Sequence, residues 1–403
     1  MHPLRRAVTY PHTILAVPKP NPSPSPAELL ARAEALAQTL AARAGAHDRD
    51  GSFPFDNVAD LRAAGLHLLP VPAQWGGSGG SLVDAVNLLA CVGGADASTA
   101  LGLAMHVHVV GGLAENDTWL AGKFEQLCRA IVAEGALVNF VASEPEMGSP
   151  SRGGLPRTTA RAVPGGFVLN GRKSWVTFAP ALDFPLTTAE LDGAIALFAA
   201  RGCSPGLSLV DTWSDALSLR ASGSCDVVYE DVFVPDEWLV KDGRAAAGAG
   251  RAIGQPSGWP TLAFAATYLG VAEAAVRELA RYCRERVPTA LGKPIAELPH
   301  VQRNLGRMNI AARSARVILL DAARRWHEQP AARAGMEPDL ALAKYVCTNA
   351  AVEVTDLALR TAGANGLEHK LPLERLLRDA RAGLMHPPQD ERAFEILGRA
   401  VLG

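Results

Sequence analysis

The chain has 403 residues, more than one hydrophobic core accommodates, so two or three domains are expected. Hydrophobic residues make up 48% and charged residues 20%, a globular mix, and a net charge of -2 supplies no field that would gather nucleic acid or an anionic membrane. The six cysteines (Cys91, Cys128, Cys203, Cys225, Cys283, Cys347) form no C-x-x-C pair, which argues against zinc or a redox dithiol and fits free thiols in a reducing, cytoplasmic setting.

Residues 1–25 read as a flexible proline-rich lead-in, with Pro18, Pro20, Pro22, Pro24 and Pro26 in alternation and no secretion signal. A helix starts at Ser25-Pro26-Ala27-Glu28, where serine caps, proline suits the first turn and glutamate completes a capping box. Further helices are expected over Phe55–Ala64, from Ser81 onward, and around Ser98–Val110. The apolar segment 101–113 is too short to span a bilayer and carries His106 and His108. The character changes at Val138. Val138–Ala142, Thr158–Val163, Phe167–Asn170, Lys173–Phe178, Ala194–Ala199 and Asp226–Phe233 read as short strands. Pro164-Gly165-Gly166 and Asn170-Gly171 read as hairpin turns between them. Helix returns over Leu262–Val287, Val301–His327, Leu340–Ala362 and Leu371–Leu384, with prolines between the segments. The fold class is therefore α+β: a helical domain over 26–137, a β-barrel domain over 138–240 and a helical bundle over 241–403.

Two segments carry chemistry. Phe140–Ser149 runs from a strand into a polar loop whose hydroxyls and backbone N–H groups suit a phosphate or a heterocycle edge. Gly166–Thr177 delivers Trp175, a flat apolar wall, and Thr177, a hydrogen-bonding hydroxyl. Each alone is equally read as ordinary strand and core. Together they resemble the "TEPxxGSD" and "GxxLNGxKxWxT" signatures of the acyl-CoA dehydrogenase superfamily. Asp226–Pro235, Gly363-Ala364-Asn365-Gly366 and Arg378-Asp379-Ala380-Arg381 resemble three more, in family order, over about residues 30–403.

The resemblance implies an N-terminal helical domain, a middle β-barrel and a C-terminal four-helix bundle holding FAD, with FMN as the runner-up. It implies that Ala142, Ser143, Trp175 and Thr177 meet the flavin ring and Ser149 its pyrophosphate. Gln302, Gly363, Asn365 and Gly366 would approach the flavin of a neighbouring subunit, which implies a homodimer or homotetramer. Some family features are missing. The arginine and phenylalanine of an R-x-x-F-G grip are absent from Pro288–Gly292. The usual catalytic glutamate position falls on Pro387, and its alternative falls near Pro260. A proton-abstracting carboxylate would then be Asp390 or Glu391, with His386 as the third candidate; an exposed helix start is the plainer reading of all three.

His386 also resembles the loop histidine that the superfamily's flavin monooxygenases hold beside flavin C4a, with His106 and His108 on the helix that carries their second polar residue. Three expectations follow. The first is α,β-dehydrogenation of an acyl thioester such as an acyl-CoA, with an electron-transfer flavoprotein as acceptor. The second is a two-component monooxygenase fed by a flavin reductase. The third is a catalytically idle flavin-fold subunit.

Overall fold

A computed structural model describes residues 7–8, 23–146, 154–246 and 258–403. The N-terminal helices are α1 (Pro26–Asp50), α2 (Phe55–Ala63), α3 (Leu82–Gly93), α4 (Ala97–Glu115) and α5 (Lys123–Glu134). Their starts follow local chemistry. Ser25 Oγ accepts from the Glu28 N–H while Glu28 Oε2 accepts from the Ser25 N–H at 2.7 Å. Ser81 and Asp84 make the same reciprocal pair on α3, and Asp96 caps α4.

The strands are β1 (Ala7–Val8), β2 (Val138–Val141), β3 (Thr159–Val163), β4 (Gly166–Val176), β5 (Phe184–Leu191), β6 (Ala194–Ala199), β7 (Leu207–Val210), β8 (Cys225–Pro235) and β9 (Leu239–Lys241). They form one sheet in the order β1-β7-β8-β4-β3-β5-β6-β9, with β2 added parallel to β5. The turn expected at 164–166 joins β3 to β4. The turn expected at Asn170-Gly171 does not form; β4 runs straight through. Gly171 is instead a bulge at φ 148°, where the ladder to β8 slips between Leu169 and Gly171 and a Cβ would lie 2.6 Å from Thr158. Asn170 and Asp231 bridge the slip with two hydrogen bonds of 2.9 Å.

The C-terminal helices are α6 (Gly258–Glu285), α7 (Pro299–Glu328), α8 (Glu337–Ala362), α9 (Leu373–Ala380) and α10 (Asp390–Leu402). The single helix expected over 371–384 is broken: α9 gives way to a 3-10 turn over Arg381–Met385. Helices α3 and α4 share a continuous apolar core with α6, α7 and α8, built from residues such as Leu89, Leu103, Leu269, Leu319 and Leu340. Helix α5 packs with the sheet through Phe124, Leu127 and Ile131. α4 is apolar along its length and largely buried. It touches both layers. Gly102 lies against the Phe178 ring, where any Cβ would come within 2.0 Å, so the helix and the end of β4 approach as only glycine permits.

Candidate functional site

The two sequence signatures meet. The Ser174 N–H donates to the Ser143 carbonyl at 2.9 Å, and Asn139 Nδ2 on β2 donates to the Thr177 carbonyl at 3.1 Å. Behind them Lys173 and Glu144, both fully buried, form an ion pair of 2.7 Å. The Glu144 carboxylate also accepts from the Arg157 and Thr158 N–H groups and the Thr158 hydroxyl. Burial pushes this carboxyl up, but the bonds from Lys173, Thr158 and Arg157 outweigh it and hold the group below its ordinary range. The motif lysine and glutamate thus fasten β4 to the loop after β2.

On this frame Trp175 is 57% exposed at φ 56°, a left-handed conformation that a bulky residue adopts only where its surroundings enforce it. Ala142 is buried, Ser143 half-buried, and the Thr177 hydroxyl heads a chain to Ser224 (3.0 Å) and Ser222 (2.8 Å). Ser174 Oγ is buried without a partner among the described residues. An outward aromatic wall, a hydroxyl chain and an unsatisfied oxygen fit the edge of a planar heterocycle such as a flavin. Ser149 lies outside the described residues.

A second group stands at one end of the bundle. Gln302 is exposed and donates to the Ala296 carbonyl at 3.0 Å. Asn304 Nδ2 donates to Thr361 Oγ1 at 3.0 Å, tying the start of α7 to the end of α8, where Gly363 turns at φ 65°. Gly363 is exposed, Asn365 accepts from Lys370 and Gly366 is buried.

The third group surrounds His386. Its ring stacks on Phe264 at 4.5 Å with 17° between planes, and its Nε2 lies 2.9 Å from the Tyr268 hydroxyl. His108 also meets Phe264, edge-on at 5.8 Å. Burial, then the charge of Lys344, then His108 push the His386 imidazole down to about 4, so it is neutral at pH 7. Tyr268 is fully buried, with its own ionisation pushed up by burial, so its hydroxyl keeps its proton. Among the described residues Nε2 of His386 is the hydroxyl's only hydrogen-bond partner. The two share one hydrogen bond, which the Tyr268 O–H donates when the ring proton is on Nδ1 and accepts when it is on Nε2. Sequence reasoning named His386 but not Tyr268 or Phe264, which lie one helical turn apart on α6 and carry no motif.

The two α4 histidines part company. Val138 N–H donates to His106 Nδ1 at 3.3 Å, and His106 Nε2 donates to the His67 carbonyl at 2.9 Å. Both nitrogens are committed, and burial pushes this group down to about 4. His106 is thus a pin between α4 and β2, whereas His108 faces the Phe264–His386 stack. Asp390 accepts from Asn349 at 3.1 Å and lies 3.9 Å from the buried Lys344 ammonium; Glu391 is exposed in the first turn of α10.

The N-terminal, middle and C-terminal domain families of acyl-CoA dehydrogenase match residues 27–117, 139–232 and 258–402. A Bacillus subtilis (strain 168) protein named "Putative acyl-CoA dehydrogenase YdbM" is 37% identical over 364 residues, covering 90% of this chain and 93% of its own length. The amino sugar nitrososynthase RubN8 of Streptomyces rubradiris is 31% identical over 388 residues, with 90% and 87% covered. The solved structure of KijD3 with FMN and a dTDP-linked amino sugar superposes with a TM-score of 0.78 at 28% identity, covering 97% of this chain and 96% of that one. With its three domains matched in order, the chain belongs to the acyl-CoA dehydrogenase family and is a flavin-dependent oxidoreductase.

Proposed function

We propose that the protein is the oxygenase component of a two-component flavin system, acting on a small molecule with reduced flavin and O2. The observation that carries this reading is His386. At the loop where the family's catalytic carboxylate stands, this chain has a neutral imidazole held by Tyr268 and Phe264. Such a ring offers an N–H donor and no ready proton acceptor, the wrong equipment for abstracting an α-proton. Asp390 is engaged with Asn349 and Lys344, and Glu391 faces solvent.

Bound reduced flavin would supply the electrons that activate oxygen. This chain's residues would do the rest. Ala142, Ser143, Trp175 and Thr177 hold the ring, and Ser149 the phosphate side. His386 would offer a ring N–H to the reacting group, and the apolar Phe264 stacked on it would keep water away. The RubN8 relative, named for forming a nitroso group on an amino sugar, supports oxygen gain as the reaction class. The flavin is FAD on the family resemblance, with FMN the alternative that the KijD3 complex favours. Gln302, Gly363, Asn365 and Gly366 complete a neighbouring subunit's site in a dimer or tetramer, and a reductase delivers the flavin.

A second reading is α,β-dehydrogenation of an acyl thioester with an electron-transfer flavoprotein as acceptor. The name of the 37% identical YdbM relative favours it, with Asp390 as the base. Anaerobic mixing separates the two. Under the proposal, acyl-CoA leaves the oxidised flavin spectrum unchanged, and product forms only with a flavin reductase, NAD(P)H and O2. Bleaching by an acyl-CoA alone would overturn it.

A further inference from the structure

We propose that Ser222 and Ser224 are positioning residues of the flavin site: their hydroxyls, lined up behind Thr177, make its O–H a hydrogen-bond donor to the bound ring rather than an acceptor from it. The proposal deepens the flavin reading above and rests on it for the contact between Thr177 and the ring. It holds for either reaction considered there.

The three hydroxyls form a row. Thr177 Oγ1 lies 3.0 Å from Ser224 Oγ, which lies 2.8 Å from Ser222 Oγ. All three residues are buried, Ser222 without any solvent exposure. Backbone contacts set the spacing. The Phe178 N–H donates to the Ser222 carbonyl at 2.9 Å and the Ala179 N–H to the Gly223 carbonyl at 3.2 Å, while Asn139 Nδ2 takes the Thr177 carbonyl at 3.1 Å. These bonds hold the end of β4 against residues 222–224 on one side and against β2 on the other. Phe178 turns at φ 66° with its ring against Gly102, so moving the row would mean moving the contact with α4.

Each hydroxyl has one proton to donate and can accept as well. Within each pair either oxygen could be the donor, so the ends decide the order. Among the described residues Ser222 Oγ has no partner but Ser224, and Ser224 Oγ none but Ser222 and Thr177. The inner end is therefore blind, and the outer end, at Thr177, borders the site. If the row runs outward, Ser222 donates to Ser224, Ser224 donates to Thr177, and the Thr177 proton is left for the ring. If it runs inward, the Ser222 proton is buried with no acceptor; if both neighbours donate to Ser224, its own proton is. A buried donor left without an acceptor costs its desolvation in full, so the outward order prevails. Accepting from Ser224 also polarises the Thr177 O–H and strengthens it as a donor. An outward donor matches the acceptors on the edge of an oxidised flavin, N1, N5 and the two carbonyl oxygens, and mismatches its one N–H, at N3.

The test uses the intact protein holding oxidised FAD, or FMN, labelled with 15N at the ring nitrogens and 13C at C2 and C4, read by NMR. Thr177→Val should displace the signal of one acceptor, N1, N5, C2 or C4, and weaken binding of the oxidised flavin by about fivefold. Ser224→Ala should displace the same signal in the same direction by a smaller amount, and Ser224→Thr should restore it. Ser222→Ala, one hydroxyl further back, should act in that direction and least. Should Ser224→Ala fail to fold, Ser224→Cys keeps the volume with only a weak donor and is read in its place. A response confined to N3 in Thr177→Val overturns the proposal, because Thr177 would then be accepting. So do ring signals that stay at their wild-type positions in Ser224→Ala while Thr177→Val moves one: a merely structural serine changes the unfolding midpoint and leaves the ring untouched. If Thr177→Val moves no ring signal at all, the contact between Thr177 and the flavin is itself refuted, and the proposal falls with it.

Discussion

Lys173 and Lys344 are both wholly out of solvent, in the sheet and in the bundle, and their surroundings differ at every contact. Lys173 meets Glu144 at 2.7 Å and Thr188 Oγ1 at 3.1 Å, and Glu144 accepts three more bonds from the loop it anchors. Lys344 has a carboxylate at 3.9 Å and no hydrogen bond. A buried pair that is fully satisfied holds architecture, because removing either partner strands the other. A buried charge left half-satisfied keeps its desolvation cost with little to offset it, so it contributes little to the fold. The contrast separates a satisfied buried lysine from an unsatisfied one within a single chain.

The comparison can be broken most forcefully at the sheet. Lys173→Met strands the Glu144 carboxylate and should lower stability by about 3–5 kcal/mol, read by urea unfolding. Loss of less than about 1 kcal/mol would place both lysines in the same class.

Acid separates the two regions further. His67 is held at about 3, and His106, His108 and His386 at about 4, each first of all by burial. Their folded-state values lie below the ordinary 6.5, so the unfolded chain binds more protons between about pH 6.5 and 4, and stability falls as pH drops through that window. Asp379, pushed up to about 7 by burial, opposes this only in part. The Glu144 carboxyl is held below 4.5, so its contribution is lost only under more acid conditions. Unfolding midpoints should therefore decline from pH 6.5 to 5 in the wild type as in a Glu144→Gln background; a wild-type midpoint that is flat there contradicts the assignment.

Within the site, His386→Gln should lower turnover by roughly 10²-fold with flavin affinity unchanged, the usual scale for a positioned proton donor. Tyr268→Phe removes the hydroxyl bonded to His386 Nε2 while keeping the ring, and should lower turnover by about tenfold, with KM little changed. Lys344→Met is the smallest in stability: a shift within about 1 kcal/mol of wild type in either direction, because the charge removed had no hydrogen bond to lose.

Much of this was legible in the sequence, for physical reasons that can be named. Ser25 with Glu28 and Ser81 with Asp84 announce helix starts because the capping groups are three residues apart. Trp175 and Thr177 follow a signature whose spacing the strand fixes. Helix α5 went unseen because its start, Gly122, offers no capping side chain, and β5 because it is buried on both faces and shows no alternation. Asn170-Gly171 has the composition of a hairpin but sits where β8 has a partner on both sides of the slip, and the ladder overrode the turn. The partners of His386 were invisible in principle. Tyr268 lies 118 positions away, and nothing in α6 distinguishes Tyr268 from neighbours on an apolar helix.

Helix α4 works as a ruler laid across the molecule. Its graduations are the bare backbone at Gly102 against Phe178, His106 bonded to the first residue of β2, and His108 over Phe264. One added residue between Gly102 and His106 would turn everything beyond it by about 100° and advance it 1.5 Å. Sheet and bundle could then no longer be read against the same scale. The length of that one segment is therefore as constrained as the glycine that it carries against Phe178.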